Sequence, residues 1–425
     1  MRTQWIRWAL VTGVSAALGA TGMAAPAAAA PATTRISSDL TGAPAAGHSN
    51  RPVLSADGRY VTYNSSASTL VAGDTNGFAD VFLHDRRTGR TELVSVSSAG
   101  TQGNGESVGE ATVTPDGRYV AFASSASNLV AGDTNATVDV FVRDRRAGTT
   151  RRVSVGGGGA QADGASVTPF ISAGGRFVAF TSTAPNLVPR DTNGTRDVFV
   201  RDIAAGKTRR VSVRRDGCQG NGDSDAAAIS ANGRYVGFVS TATNLGPAVA
   251  TENNAYVKDL RTGAVELVSV APPGVRFADG GTEMSMSADG RRVGFNATPE
   301  SGITQTYARD LSRRVTTLVS VNVSGTDSSG SSSHGSISPD GRYVGFVSGA
   351  HDLPPGFQFT NGVFVRDLRT ATTFQASLTT AGTAPNNWVG IGGISNTGIT
   401  FATDATHVTP DGGGVTTSQV YLRTF

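Results

Sequence analysis

Short runs in which apolar and polar residues alternate fill the chain, and no stretch keeps the spacing of an amphipathic helix. In the first clear unit Val61 and Tyr63 alternate with polar neighbours, as do Val81 and Leu83, while Phe82 makes the opposite face apolar too. The pattern predicts four strands, a to d, over residues 52–55, 60–64, 80–84 and 91–96. Asp57-Gly58 turns a into b, because glycine accepts the positive φ of a tight hairpin. A long loop, 65–79, joins b to c, and residues 85–89 turn c into d. Apolar side chains on both faces suit a sheet that is covered on both sides.

This unit recurs. The phrase Ser55-Ala56-Asp57-Gly58-Arg59-Tyr60-Val61 returns as Thr114-Pro115-Asp116-Gly117-Arg118-Tyr119-Val120, and again at 172–178, 230–236, 287–293 and 338–344, with a worn copy from Ser395 to Gly398. The turn glycines are Gly58, Gly117, Gly175, Gly233, Gly290, Gly341 and Gly398, spaced by 59, 58, 58, 57, 51 and 57 residues. Such a period marks a repeat architecture. A four-stranded unit cannot bury two faces alone, and radial stacking buries both. The expected fold is therefore all-β: a seven-bladed β-propeller of four-stranded antiparallel blades, with an open solenoid as the alternative. The ends favour the ring. The last repeat stops at Val420-Tyr421-Leu422-Arg423, which matches strand c, whereas Thr33 to Ser38 matches strand d of other repeats, such as Thr150 to Val155. The N-terminal strand is expected to complete the last blade.

The turn phrase, together with Asp-Val-Phe-Val-Arg-Asp on strand c, resembles the WD-like propeller repeat of the TolB-like group. The resemblance spans residues 33–425 and implies a stand-alone exported bacterial propeller. It is specific for fold. Its members include transport-associated proteins, peptidase propeller domains and free exported proteins, so it implies no single activity.

Composition adds the compartment. Arg2 and Arg7 precede an apolar stretch from Ala9 to Gly19 and an Ala/Pro-rich segment from Ala24 to Ala32. This reads as a cleaved signal peptide over 1–32, followed by one domain over 33–425. No cysteine sits where a lipid anchor would attach, and no later segment is apolar enough to span a bilayer, so a secreted, extracellular protein is expected. The pI of 9.2 comes with 36 basic and 33 acidic residues; without a basic stripe, nucleic acid is not an expected partner. Cys218 is the single cysteine, which excludes an internal disulfide and reads as an unpaired loop residue. Nothing signals an oligomer, so a monomer is expected.

Chain direction places the b–c loops and d–a crossovers on one face, where binding sites are favoured. Three b–c loops repeat a pattern of alternating oxygen side chains: Asp74, Asn76 and Asp80; Asp133, Asn135 and Asp139; Asp191, Asn193 and Asp197. They are candidate calcium ligands, although Asx turns explain them more simply. In the crossovers, Glu106, Asp163 and Asp223 are candidates to line the channel mouth. His48 and His334 in crossovers, with His351 and His407 in b–c loops, share that face and suggest a metal site without a ligand spacing. The aspartates that recur at the c–d turn, Asp85, Asp144, Asp202, Asp259, Asp310 and Asp367, read as turn residues, because a catalytic group need not repeat. Trp388 is expected in the core. The leading functional expectation is a non-enzymatic binding or scaffold protein for a protein, glycan or envelope component, requiring no cofactor. The alternatives are a metal-assisted polysaccharide lyase or hydrolase, with its site at the channel mouth, and a calcium-stabilised structural protein.

Overall fold

The computed structural model describes residues 31–246, 252–353, 361–410 and 417–425. The expected leader falls on residues outside these, apart from its last two. The strands form seven antiparallel sheets, five of them with four strands in sequential order. In blade 1, a is Ser49–Leu54, b is Tyr60–Ser65, c is Asp80–Asp85 and d is Arg90–Leu93. Strand d ends earlier than expected: Val94 N–H still bonds Val81 O at 2.8 Å, but Val81 N–H turns to Ser95 Oγ at 3.1 Å and Val96 N–H turns back to Val94 O at 2.8 Å. Blade 7 combines Val389–Ile394, Gly398–Thr403 and Gln419–Thr424 with the N-terminal Thr33–Arg35. Thr33, Thr34 and Arg35 pair antiparallel with Arg423, Leu422 and Tyr421, and Ser37 Oγ donates to Gln419 Oε1 at 2.8 Å. The fold is an all-β seven-bladed propeller, closed by its first strand.

The two-faced apolar strands pack as the pattern demands. Each blade buries one stacked aromatic pair between strands b and c, with ring centroids 5.5–5.9 Å apart: Tyr63–Phe82, Phe122–Phe141, Phe180–Phe199, Phe238–Tyr256, Phe295–Tyr307, Phe346–Phe364 and Phe401–Tyr421. Such a pair adds about 0.5–1.5 kcal/mol beyond burial alone. The cores lie between blades. Tyr63 and Phe82 pack against Ala402, Val420 and Leu422 of blade 7, and Ile36 from the closing segment seals that core.

The recurrent turn phrase does more than reverse the chain. Asp57 Oδ1 accepts from Ser55 Oγ at 2.6 Å and from Arg59 N–H at 3.1 Å, which fixes the a–b turn. Arg59 then crosses to the c–d turn and grips Asp85 with two bonds, at 2.9 and 2.7 Å, while its guanidinium lies 4.6 Å from the Tyr60 ring centroid. The Arg–Asp grip recurs as Arg118–Asp144, Arg176–Asp202, Arg234–Asp259 and Arg342–Asp367. These hydrogen bonds hold Asp144 and Asp367 down at about 2. Asp85 also accepts the turn N–H of Arg87, so the recurring aspartates are turn residues, as read, and ion-pair anchors too. The glycine meets a second demand. Gly117 sits at φ 67°, and a Cβ there would fall 2.4 Å from the Tyr60 ring of the preceding blade. Gly175, Gly233 and Gly290 meet Tyr119, Phe177 and Tyr235 in the same way. In blades 2 to 5 the turn therefore docks on an aromatic ring of its predecessor.

Two expectations are corrected. Blade 5 has five strands, not four, because Phe277–Asp279 pairs with the outer part of a long strand b, Arg292–Pro299, beside the separate strand a, Met284–Met286. The b–c connection there is short, which frees that stretch of strand b, and Gly281 at φ 144° breaks the incoming chain. Trp388 is not in the core: it is 51% exposed, and its ring packs over Gly390.

Removing residues 33–40 strips the fourth strand from blade 7 and uncovers Val420 and Leu422. The truncated protein is expected to melt at least several degrees below the full ring in a calorimetric scan. An unchanged melting temperature would contradict closure as a source of stability.

Candidate site in the central channel

Strands a of neighbouring blades pack around the axis. Most carry a β-bulge near mid-strand: the register slips between Asn50 and Val53, Val108 and Thr112, Val167 and Phe170, and Ser333 and Ser336. The bulge puts one residue in the left-handed region: Arg51 at φ 52°, Gly109 at 72°, Thr168 at 49° and His334 at 56°. For a non-glycine residue this costs about 1 kcal/mol or more, and such strain persists at sites that need a particular side-chain direction.

The residues found there differ in chemistry. Seven positions before the turn glycine stand Arg51, Glu110, Thr168, Ala226, Glu283, His334 and Ile391 in the seven blades. Four of them form one electrostatic group. Glu110 on blade 2 lies within electrostatic reach of Arg51 on blade 1, His334 on blade 6 and Glu283 on blade 5, all on strands that pack around the axis. Glu110 is reached by channel water yet enclosed by the protein wall, and this desolvation raises its carboxyl pKa, with Arg51 and His334 opposing and Glu283 reinforcing the rise. Across the channel, Glu283 Oε1 lies 3.1 Å from His334 Nε2. Glu283 Oε2 accepts from His334 N–H and from Asn296 Nδ2, both at 2.7 Å. Arg51 reaches the surface of Gly109, where a Cβ would lie 3.8 Å from its Nη1. Its guanidinium has no ion-pair partner among the described residues. The arrangement offers a guanidinium with no ion-pair partner among the described residues, a carboxyl whose pKa is raised by desolvation and an oriented carboxylate–imidazole pair.

Of the sequence candidates, only His334 belongs to this group. Glu106, Asp163 and Asp223 are exposed on the loop face, and Asp223 accepts the N–H of Arg196 at 2.8 Å. His48 bonds Ser418 at the junction of blades 7 and 1 and shares no partner with His334. Among the described residues no three side chains of His, Cys, Asp or Glu group as a metal site. In the b–c loops, Asn76, Asn135 and Asn193 donate to Asp80, Asp139 and Asp197 at 2.7, 2.9 and 3.1 Å. In two of these loops an arginine joins both carboxylates: Arg152 meets Asp133 and Asp139 at 3.0 and 3.1 Å, and Arg210 meets Asp191 and Asp197 at 2.8 and 2.9 Å. Cys218 is free and exposed. No helix of the described residues is long and apolar enough to cross a membrane. Arg51, Glu110 and Glu283 escaped the sequence reading, although a signal existed: theirs is a repeat position whose residue type changes in every blade but one.

Neither a protein-family model nor a curated protein sequence matches the chain. Solved structures do. An oligogalacturonate lyase in complex with manganese superposes with a TM-score of 0.55 at 12% identity, over 91% of this chain and 95% of that one. Prolyl endopeptidases match with a TM-score of 0.52 at 15% identity, over 89% of this chain and 50% of theirs. TolB from Acinetobacter baumannii matches with a TM-score of 0.43 at 15% identity, over 79% of this chain. The chain spans 65% of that TolB and half of the endopeptidase. It is a propeller structurally like these, at low identity. The lyase and the endopeptidase share the fold with different activities, so the fold fixes none.

Glu110 supplies a pH test. A raised carboxyl pKa means that the folded state disfavours the charged form, so stability falls as pH climbs from the ordinary carboxylate value towards the raised one, and stays lower above it. Glu110→Gln removes this cost. The variant is expected to melt above the wild type at pH 7 and level with it at pH 4. A lower melting temperature at pH 7 would show a charged, well-paired carboxylate instead.

Proposed function

We propose that this chain is an exported binding propeller whose channel takes an acidic glycan. The carrying observation is Arg51, a guanidinium without an ion-pair partner that a strained backbone aims into a channel. Such a group pairs with a carboxylate in fork geometry. Glu110, Glu283 and His334 would serve as hydrogen-bond partners for sugar hydroxyls. The near full-length likeness to an oligogalacturonate lyase supplies a probe, and the leader-like first 32 residues support export.

The test is calorimetric titration of the mature chain with oligogalacturonate and with a neutral oligosaccharide of equal length. Preference for the acidic chain is expected, with a loss of about tenfold or more in Arg51→Ala, as for a charge-assisted bond. Equal binding of both sugars, or an unaffected Arg51→Ala, would contradict the proposal. Release of an unsaturated, ultraviolet-absorbing product during the titration would turn the same site into a lyase.

A further inference from the structure

Among the described residues the large apolar side chains left exposed are Leu40, Phe78, Val315, Val323 and Trp388. Of these, Trp388 alone adjoins a strand that rings the axis, directly ahead of strand a of blade 7, Val389–Ile394. The register fixes its place. Blade 7 opens the pairing of strands a and b at Val389–Thr403, the row held by Ser107–Ser124 in blade 2 and by Ser224–Ser240 in blade 4. One step earlier stand Trp388, Glu106 and Asp223. Each accepts at its carbonyl from the strand b hydroxyl of that row: Thr403 Oγ1 donates to Trp388 O, and Ser124 and Ser240 Oγ donate to Glu106 O and Asp223 O at 3.0 Å. The indole thus occupies a rim position, where strand a enters the channel from the loop face.

Its direction follows from alternation along the strand. Val389 and Ile391 pack into the core shared with blade 6, beside Val347 and Val363. Gly390 lies opposite Ala402, which belongs to the core shared with blade 1. Trp388 and Gly390 therefore face blade 1, whose strand a is next around the axis and carries Arg51.

Two departures from the repeat occur here together. The rim residue is an indole, and the residue two steps on is a glycine where blades 2 and 4 have Val108 and Asp225. A Cβ on Gly390 would fall 2.4 Å from Trp388 Cη2, so the glycine is what lets the ring rest against the strand. The scaffold beneath is unchanged. Asn386 Nδ2 donates to Thr406 Oγ1 at 3.1 Å, and Thr406 N–H donates back to Asn386 Oδ1 at 3.2 Å. Asn104 with Ser127, and Asn221 with Thr243, make the same pinch in blades 2 and 4. Trp388 N–H donates to Asn387 Oδ1 at 2.8 Å, and the adjacent Val389 is buried. The indole is held on a rigid strand end with half of its surface open, a preorganised contact face.

We infer that Trp388 is the platform on which a sugar ring of the acidic glycan stacks at the channel rim, while a carboxylate of the same glycan reaches Arg51. This rests on the glycan reading of the channel. A pyranose ring presents an apolar face of C–H bonds with slight positive charge, and the face of an indole is negative. Glu106 and Asp223 put carboxylates on the rim at blades 2 and 4, which favours the blade 7 side for an anionic chain.

The test reads Trp388 directly. The sequence has three tryptophans, Trp5, Trp8 and Trp388, and the first two fall in the expected leader, so the fluorescence of the mature chain reports Trp388 alone. With oligogalacturonate at a saturation fixed by calorimetry, acrylamide quenching is expected to drop at least about twofold, as for an aromatic face covered by its ligand. Trp388→Ala should bind oligogalacturonate roughly three- to tenfold more weakly. Trp388→Phe should keep most of the affinity, and both variants should melt with the wild type, because the ring lies outside the core. Gly390→Ala, which pushes the ring aside, should weaken binding with Trp388 still present. Undiminished quenching in the saturated complex, or wild-type affinity in Trp388→Ala, would overturn the inference and leave Arg51-dependent binding, and with it the glycan reading, intact. No binding of oligogalacturonate at all would overturn both.

Discussion

The whole structure depends on one constraint: a four-stranded blade with apolar side chains on both faces has no stable existence by itself. Each blade buries a stacked aromatic pair in a core shared with its neighbour, and in blades 2 to 5 the a–b turn docks its glycine on an aromatic ring of the blade before it. Contacts of this kind are satisfied everywhere only when the last blade meets the first. Closure by Thr33–Arg35 is thus a consequence of the same demand that shapes every interior blade.

The architecture was largely legible in the sequence, because burial on two faces and tight turns leave a periodic trace. The Asp-Gly turns, the strand order and the split last blade could all be read from alternation and spacing. Other features left no local trace. The grip of Arg59 on Asp85 joins two turns 26 residues apart, and a turn glycine reveals its φ but not the ring pressed against it. Blade 5 departs because a shortened loop frees an edge of strand b, a matter of three-dimensional space. Trp388 was misplaced because a large apolar residue next to a strand suggests burial, whereas here the ring lies over a glycine.

The candidate site was legible only in hindsight. Motifs that repeat drew attention to loops, where they turn out to hold the ring's outer face together through Asn76, Asn135, Asn193 and two buried arginines. The chemistry instead collects where the repeat fails. Arg51, Glu110, Glu283 and His334 replace one another at a single strand position, and His84 interrupts a strand c row held elsewhere by Arg143, Arg201, Lys258, Arg309, Arg366 and Arg423. A repeat protein needs the shared residues for its ring, which leaves the unshared ones free for binding. Backbone strain at Arg51 and His334 fits that division, since it favours direction over stability.

The most direct measurement is the melting temperature of the Arg51→Gly, His334→Gly double variant. Glycine relieves the left-handed strain at both bulges, as Gly109 already does in blade 2, though it adds some freedom to the unfolded chain. If these side chains serve a ligand and not the ring, the variant melts no lower than the wild type. A melting temperature clearly below it would mean that Arg51 and His334 hold the blades together, and the division between repeated scaffold and unrepeated site would fail.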